Sequence, residues 1–156
     1  MMIFLEVLMM KILKCFIAVL LFFLLASFSG LKEYNATIYL LRENSDKLSP
    51  VNMKIYASDN TDFCEKLISE IISKQNRPYI PLVPKKTKIR AEKSAAVIDF
   101  PPQLLDNEVA AIYSLVNSVT STGDIITVEF TASGKKNTDF FKQTSINETF
   151  IPDYNI

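Results

Sequence analysis

The sequence predicts an α/β (α+β) fold, a two-layer sandwich with two helices packed on one mixed sheet of about five strands, in the order β-β-α-β-β-α-β. Two observations lead there. Two stretches, opening near residues 61 and 107, repeat apolar side chains at spacings of three and four, which makes each a one-sided helix. Around them lie five short runs rich in β-branched and aromatic residues, some of them alternating apolar and polar. A one-sided helix and a mostly one-sided sheet must each hide an apolar face, so the two layers are expected to stack.

The chain opens with a segment that does not belong to this domain. Cys15 to Phe28 carries no charge and follows Lys11 and Lys14, and Ser27 and Ser29 stand two apart before Gly30. A basic start, an apolar run and a small-x-small exit are the parts of a secretory signal. The same run, extended to Leu31, is also barely long enough for an uncleaved membrane anchor. Residues 1–31 are therefore expected to be a signal peptide or an N-terminal membrane anchor, and either places residues 32–156 outside the cytoplasm. Residues 1–9 fit neither picture, and Met10 to Lys14 reads as the true start.

Within the exported part, Thr37 to Leu41 reads as a first strand and Val51 to Tyr56 as a second, joined by the polar turn Arg42 to Pro50. Thr61 or Asp62 is expected to cap the first helix, with Asp62 and Glu65 forming a capping-box-like pair. Its stripe is Phe63, Cys64, Leu67, Ile68, Ile71 and Ile72, and Asn76-Arg77-Pro78 ends it. Pro78 to Pro84 holds three prolines, which remove backbone donors, so an extended loop packing Ile80, Leu82 and Val83 is expected. Thr87 to Arg90 and Ser94 to Phe100 read as two strands. Asp106 or Asn107 should cap a second helix with Val109, Ile112, Leu115, Val116 and Val119 on its apolar face. Asp124 to Thr131 is a final strand, closed by Ser133-Gly134-Lys135-Lys136. The domain is bounded at 32–136, and the tail, 137–156, has no sustained period and is expected to be loosely ordered or to dock back.

Composition narrows the chemistry. Of 156 residues none is histidine or tryptophan. Imidazole triads, dyads, general bases and metal sites are thereby excluded, and no catalytic residue, metal or cofactor is expected. From Lys32 onward 15 basic and 16 acidic residues remain, one net negative charge. That balance offers no field to gather phosphate backbones, so no nucleic-acid partner is expected. Cys64 has no intrachain partner once the leader is removed. Among apolar neighbours it reads as a packed small hydrophobe.

Taken in order, TIYLL, EKLISEII, IPLVPKKTKI, VIDF and LVNSVT followed by IITVEFTASG resemble the GerMN domain, a sporulation and spore-germination module of bacterial envelope proteins. The resemblance runs over roughly Thr37 to Lys136. The chain departs from the family pattern at Gln75-Asn76-Arg77-Pro78, where Gly-Pro is usual, at Lys86 for a glycine and at Pro101 for a serine. Asn117-Ser118 stands for an asparagine-threonine pair. The resemblance implies a non-catalytic, extracytoplasmic module that assembles or tethers envelope machinery, with an envelope protein or a second copy as its partner.

Four groups of residues invite a functional reading. Lys85, Lys86, Lys88 and Arg90 form a basic cluster that either meets an anionic partner or guards a strand edge. Phe140 and Phe141, and Phe150 to Tyr154, either dock on a partner as an added strand or fold back over the sheet. Asp99, with Glu129, is the nearest thing to a carboxylate pair acting on cell-wall material, yet it reads better as a strand-end aspartate holding backbone donors. Asn117 reads as a structural polar contact to neighbouring backbone or an adjacent loop.

Overall fold

A computed structural model of the chain describes residues 10, 13–21, 30–102, 105–136 and 149–156. The chain divides into two units, Met1–Leu31 and Lys32–Ile156. In the first, residues 13–21 are helical (α1) and expose Leu13, Phe16 and Leu20. Among the described residues no helix is long and apolar enough to cross a membrane. Phe22 to Ser29, which carry the rest of the apolar run and its small-residue exit, lie outside the described residues.

The second unit runs β1 (Lys32–Leu41), β2 (Leu48–Ala57), α2 (Asn60–Lys74), β3 (Lys88–Glu92), β4 (Ala95–Phe100), α3 (Glu108–Val119) and β5 (Thr127–Ala132). This is the expected order in a mixed α+β fold. The strands, however, form two sheets and not one. β1 and β2 make an antiparallel pair, and β3-β4-β5 make a three-stranded sheet in which β3 and β4 are antiparallel and β4 and β5 parallel.

The division has a local cause. The edge of β1 that faces away from β2 is occupied by hydroxyls from α3 and the turn after it. The backbone N–H groups of Thr37 and Tyr39 donate to Ser121 Oγ and Ser118 Oγ at 3.1 and 2.9 Å, and Ser114 Oγ donates to the Tyr39 carbonyl at 2.5 Å. Positions 114, 118 and 121 lie on one helical face, so three side chains stand where another strand would have paired. At β3, Thr61 Oγ1 of α2 donates to the Ala91 carbonyl and accepts its N–H. Helices thus cap sheet edges that would otherwise expose unpaired peptide groups.

β2 is longer than its alternating core and includes Pro50. The register sets Pro50 opposite Tyr39. Because the Tyr39 peptide groups turn toward α3, this is a pair without mutual backbone bonds, and the absent proline N–H would have pointed outward. At the two ends of that outer edge, Leu48 N–H donates to the Ile156 carbonyl and Lys66 Nζ donates to the Tyr56 carbonyl.

α2 buries Phe63, Cys64, Leu67, Ile68 and Ile71, as its spacing requires. Its cap is Asp59 and not Thr61 or Asp62: the Asp59 carboxylate accepts the Asp62 N–H at 2.9 Å. The Asp62 carboxylate takes Lys66 Nζ and the Ser58 N–H instead, and those bonds hold it below its ordinary pKa. α3 departs further from expectation. Asn107 stands at its N-cap without a side-chain bond, and Val109, expected in the stripe, is exposed. Ser114, Asn117 and Ser118, which lie off that stripe, are also fully buried. β1 and residues 149–156 cover them, so α3 is buried nearly all round.

One apolar core joins both sheets and both helices. Phe63 stacks on Tyr34 of β1 with ring centroids 4.5 Å apart, and Phe100 stacks on Phe130 at 5.6 Å. Burying each such ring stabilises the fold by about 2–3 kcal/mol.

Candidate interaction surface

The three-stranded sheet is wet on one face. Along β4 and β5 the residues alternate, with Ala96, Ile98, Phe100, Val128 and Phe130 inward and Val97, Asp99, Glu129 and Thr131 outward. β3 places Lys88 opposite Asp99 and Arg90 opposite Val97. Lys88, Arg90, Val97, Asp99 and Thr131 therefore share one open face, lining a shallow groove of about 310 Å³. Lys85 and Lys86 are exposed on the preceding loop, where they border a wider groove of about 570 Å³ formed with Pro81, Pro84, Pro101 and Pro102. Arg90 Nε lies 3.9 Å from Glu92. Among the described residues, Lys85, Lys86 and Lys88 have no carboxylate within ion-pair distance. Phe140 and Phe141 lie outside the described residues.

Asp99 is held as a strand-end carboxylate. Its Oδ1 accepts Thr131 Oγ1–H and the Gly134 N–H, each at 2.7 Å. Gly134 has φ +74°, the left-handed conformation glycine adopts without strain, and this turns its N–H back onto the aspartate. Glu129 is paired with Lys136 at 3.1 Å. Cys64 is wholly buried, and burial pushes its thiol up to about 12, leaving it protonated and unreactive at neutral pH.

Two buried carboxamides position irregular segments of the domain. Gln75, at the C-cap of α2, accepts the N–H groups of Leu82 and Val83 at 2.5 and 2.6 Å and donates Nε2 to the Val83 carbonyl at 3.0 Å. The proline-rich loop has few donors of its own, and this side chain substitutes for a neighbouring strand. Leu82 and Val83 are buried as a result. Nothing in the sequence pattern marked Gln75, because a single glutamine after a helix looks like any solvated one.

Asn117 of α3 does the same for residues 149–156. It donates Nδ2 to the Asp153 carbonyl at 2.6 Å and accepts the Asp153 N–H at 2.9 Å. On one side of this clamp, Phe150 forms an antiparallel bridge with Val128 of β5, giving and taking a backbone bond at 2.8 and 3.0 Å. Its ring meets Phe130 and Tyr113 edge-on. On the other side Tyr154 lies over Tyr39, and the Ile156 carbonyl accepts from Leu48 of β2. Eight residues thus touch β5, α3, β1 and β2 in turn.

A family model described as Germane, sporulation and spore germination, matches residues 37–138. No curated protein matches the chain. Solved structures do. A Clostridium perfringens protein assigned as a lipoprotein aligns at 14% identity with a TM-score of 0.53, covering 78% of this chain and 88% of that one. The tandem GerMN domains of the sporulation protein GerM from Bacillus subtilis align at 18% identity with a TM-score of 0.58. That alignment covers 78% of this chain and 46% of the tandem structure, so the chain spans less than half of that relative's length.

Proposed function

Because the chain belongs to the Germane (GerMN) sporulation and spore-germination family, we propose that it is a non-catalytic interaction and assembly module of the bacterial cell envelope, working outside the cytoplasm. The observation that carries this reading is the family match, which spans both sheets and both helices of the domain. The apolar, lysine-preceded leader supports export. Among its structural relatives, one assigned as a lipoprotein and one named as a sporulation protein fit the same setting.

The contact surface we assign to this role is the basic end of the open sheet face, Lys85, Lys86, Lys88 and Arg90. Three of these four cations have no carboxylate of their own among the described residues, and they border two grooves. A partner with an acidic, partly apolar segment matches that chemistry. Phe140 and Phe141 are proposed as further contacts.

Site-specific photocrosslinking in cells tests both halves. Probes at Lys85 and Lys88 should yield one defined envelope protein, and a probe at Tyr56 should not. With the probe at Lys85, the changes Lys86→Glu, Lys88→Glu and Arg90→Glu together should abolish the product while leaving the fold intact by circular dichroism. Equal yields from all positions, or survival of the product after charge reversal, would reject the surface. N-terminal sequencing of the mature chain decides between a cleaved leader, which begins at Gly30, and an anchor.

A further inference from the structure

We propose that the seat occupied by residues 149–156 also accepts the same segment from a second copy of the chain, so that two copies exchange their tails. The inference is independent of the basic surface above. It starts from what the seat recognises. It takes one aromatic ring between Phe130 and Tyr113, one backbone bridge at Val128, one peptide group at the Asn117 carboxamide, a second ring at Tyr39 and a carbonyl at Leu48. Nothing in that set depends on which chain supplies the strand. It is strand addition to a sheet edge, with side-chain pockets setting the register.

The second copy is the occupant the observations favour. Its own residues 149–156 are the one segment already seen to fit. The connection from Lys136 to Thr149 is twelve residues, 137–148, a length that can span up to about 40 Å. That contour lets the segment seat on a neighbouring copy lying within that distance. The segment is also held lightly at its outer side, where Ile151 is 65% and Tyr154 55% exposed. An exchanged tail recovers every contact of the retained one, which is why exchange of an identical element is a low-cost route to a dimer.

Tyr39 and Tyr154 report the exchange directly, because their rings lie 5.6 Å apart. Full-length chains carrying Tyr39→Cys or Tyr154→Cys, each with Cys15→Ser, are mixed in detergent and treated with a short bismaleimide. A crosslinked pair of unlike chains is expected, its share rising with concentration and falling when excess peptide TFIPDYNI competes for the seat. A chain carrying both cysteines should link to itself at low concentration. Self-linking in that chain with no product between chains at any concentration overturns the proposal. So does a mass by light scattering that stays monomeric across the same range for the unmodified chain.

Discussion

Gln75 and Asn117 show how much a single carboxamide contributes when it is buried and fully bonded. Each presents a donor and an acceptor in the spacing of a peptide group, and each bonds the backbone of a segment that belongs to no strand or helix. The opposite case is Thr87. It is buried, and among the described residues its Oγ1 has no hydrogen-bond partner. Thr87→Val keeps the shape and removes the unpaired hydroxyl, so it should raise unfolding free energy by about 1 kcal/mol in urea titrations. A loss would mean that the hydroxyl has a partner. Cys64 gives a pH signature. Its folded pKa is raised from 9.0 to about 12, so between those values the unfolded thiol ionises and the folded one does not. Stability contributed by the buried thiol is complete below pH 9 and falls as pH rises above it. Cys64→Ala should flatten that decline, and Cys64 should react with thiol reagents only on unfolding. In the sequence, Cys64 was legible as a core residue because its neighbours at helical spacing are apolar. Gln75 was not, since hydrogen bonding across seven residues of loop leaves no periodic trace.

At the scale of elements, hydrophobic period located every strand and both helices of the domain, because each element buries most of the face that its pattern marks, with Val109 of α3 the exception. What period cannot express is competition for backbone groups. A sheet of five strands was expected because five strands are present, yet β1 gives its second edge to Ser114, Ser118 and Ser121. Ser114 and Ser118 stand four apart on α3 and Ser121 follows in the turn after it, but a hydrophobic pattern assigns polar positions no partner. Asp59 as the cap of α2 was hidden in the same way, since Ser58 to Asp62 offers several side chains that cap equally well in one dimension. Replacing Ser114 and Ser118 together by alanine should cost about 2–4 kcal/mol, because it strands the Tyr39 N–H and carbonyl in a part-buried site. Amide exchange at Tyr39 should accelerate more than at Ile38, whose position in the ladder is set by β2. Uniform acceleration along β1 would count against the hydroxyls as the specific cap.

At the scale of the whole molecule, residues 149–156 join parts that the strand pairing leaves separate. Phe150→Ala removes the ring between Phe130 and Tyr113 and should cost about 2–3 kcal/mol. Asn117→Ala removes the two bonds to Asp153 and should cost about the same. Both act by releasing one segment, so the double variant should lose clearly less than the sum. Simple additivity in thermal melts would show that the segment is held at two independent points. The family-matched region, residues 37–138, was legible from the order of its pieces. The seat for the tail was not, because Phe150, Asp153 and Tyr154 carry no period and their partners are scattered over four elements.

Both carboxamide bonds of Asn117 to Asp153, and the Val128 bridge, exist only while residues 149–156 are seated. Each lifting of that segment wets a peptide edge and leaves a buried amide unmet, so openings are brief and costly, and hydrogen exchange at the Val128 amide counts them one by one.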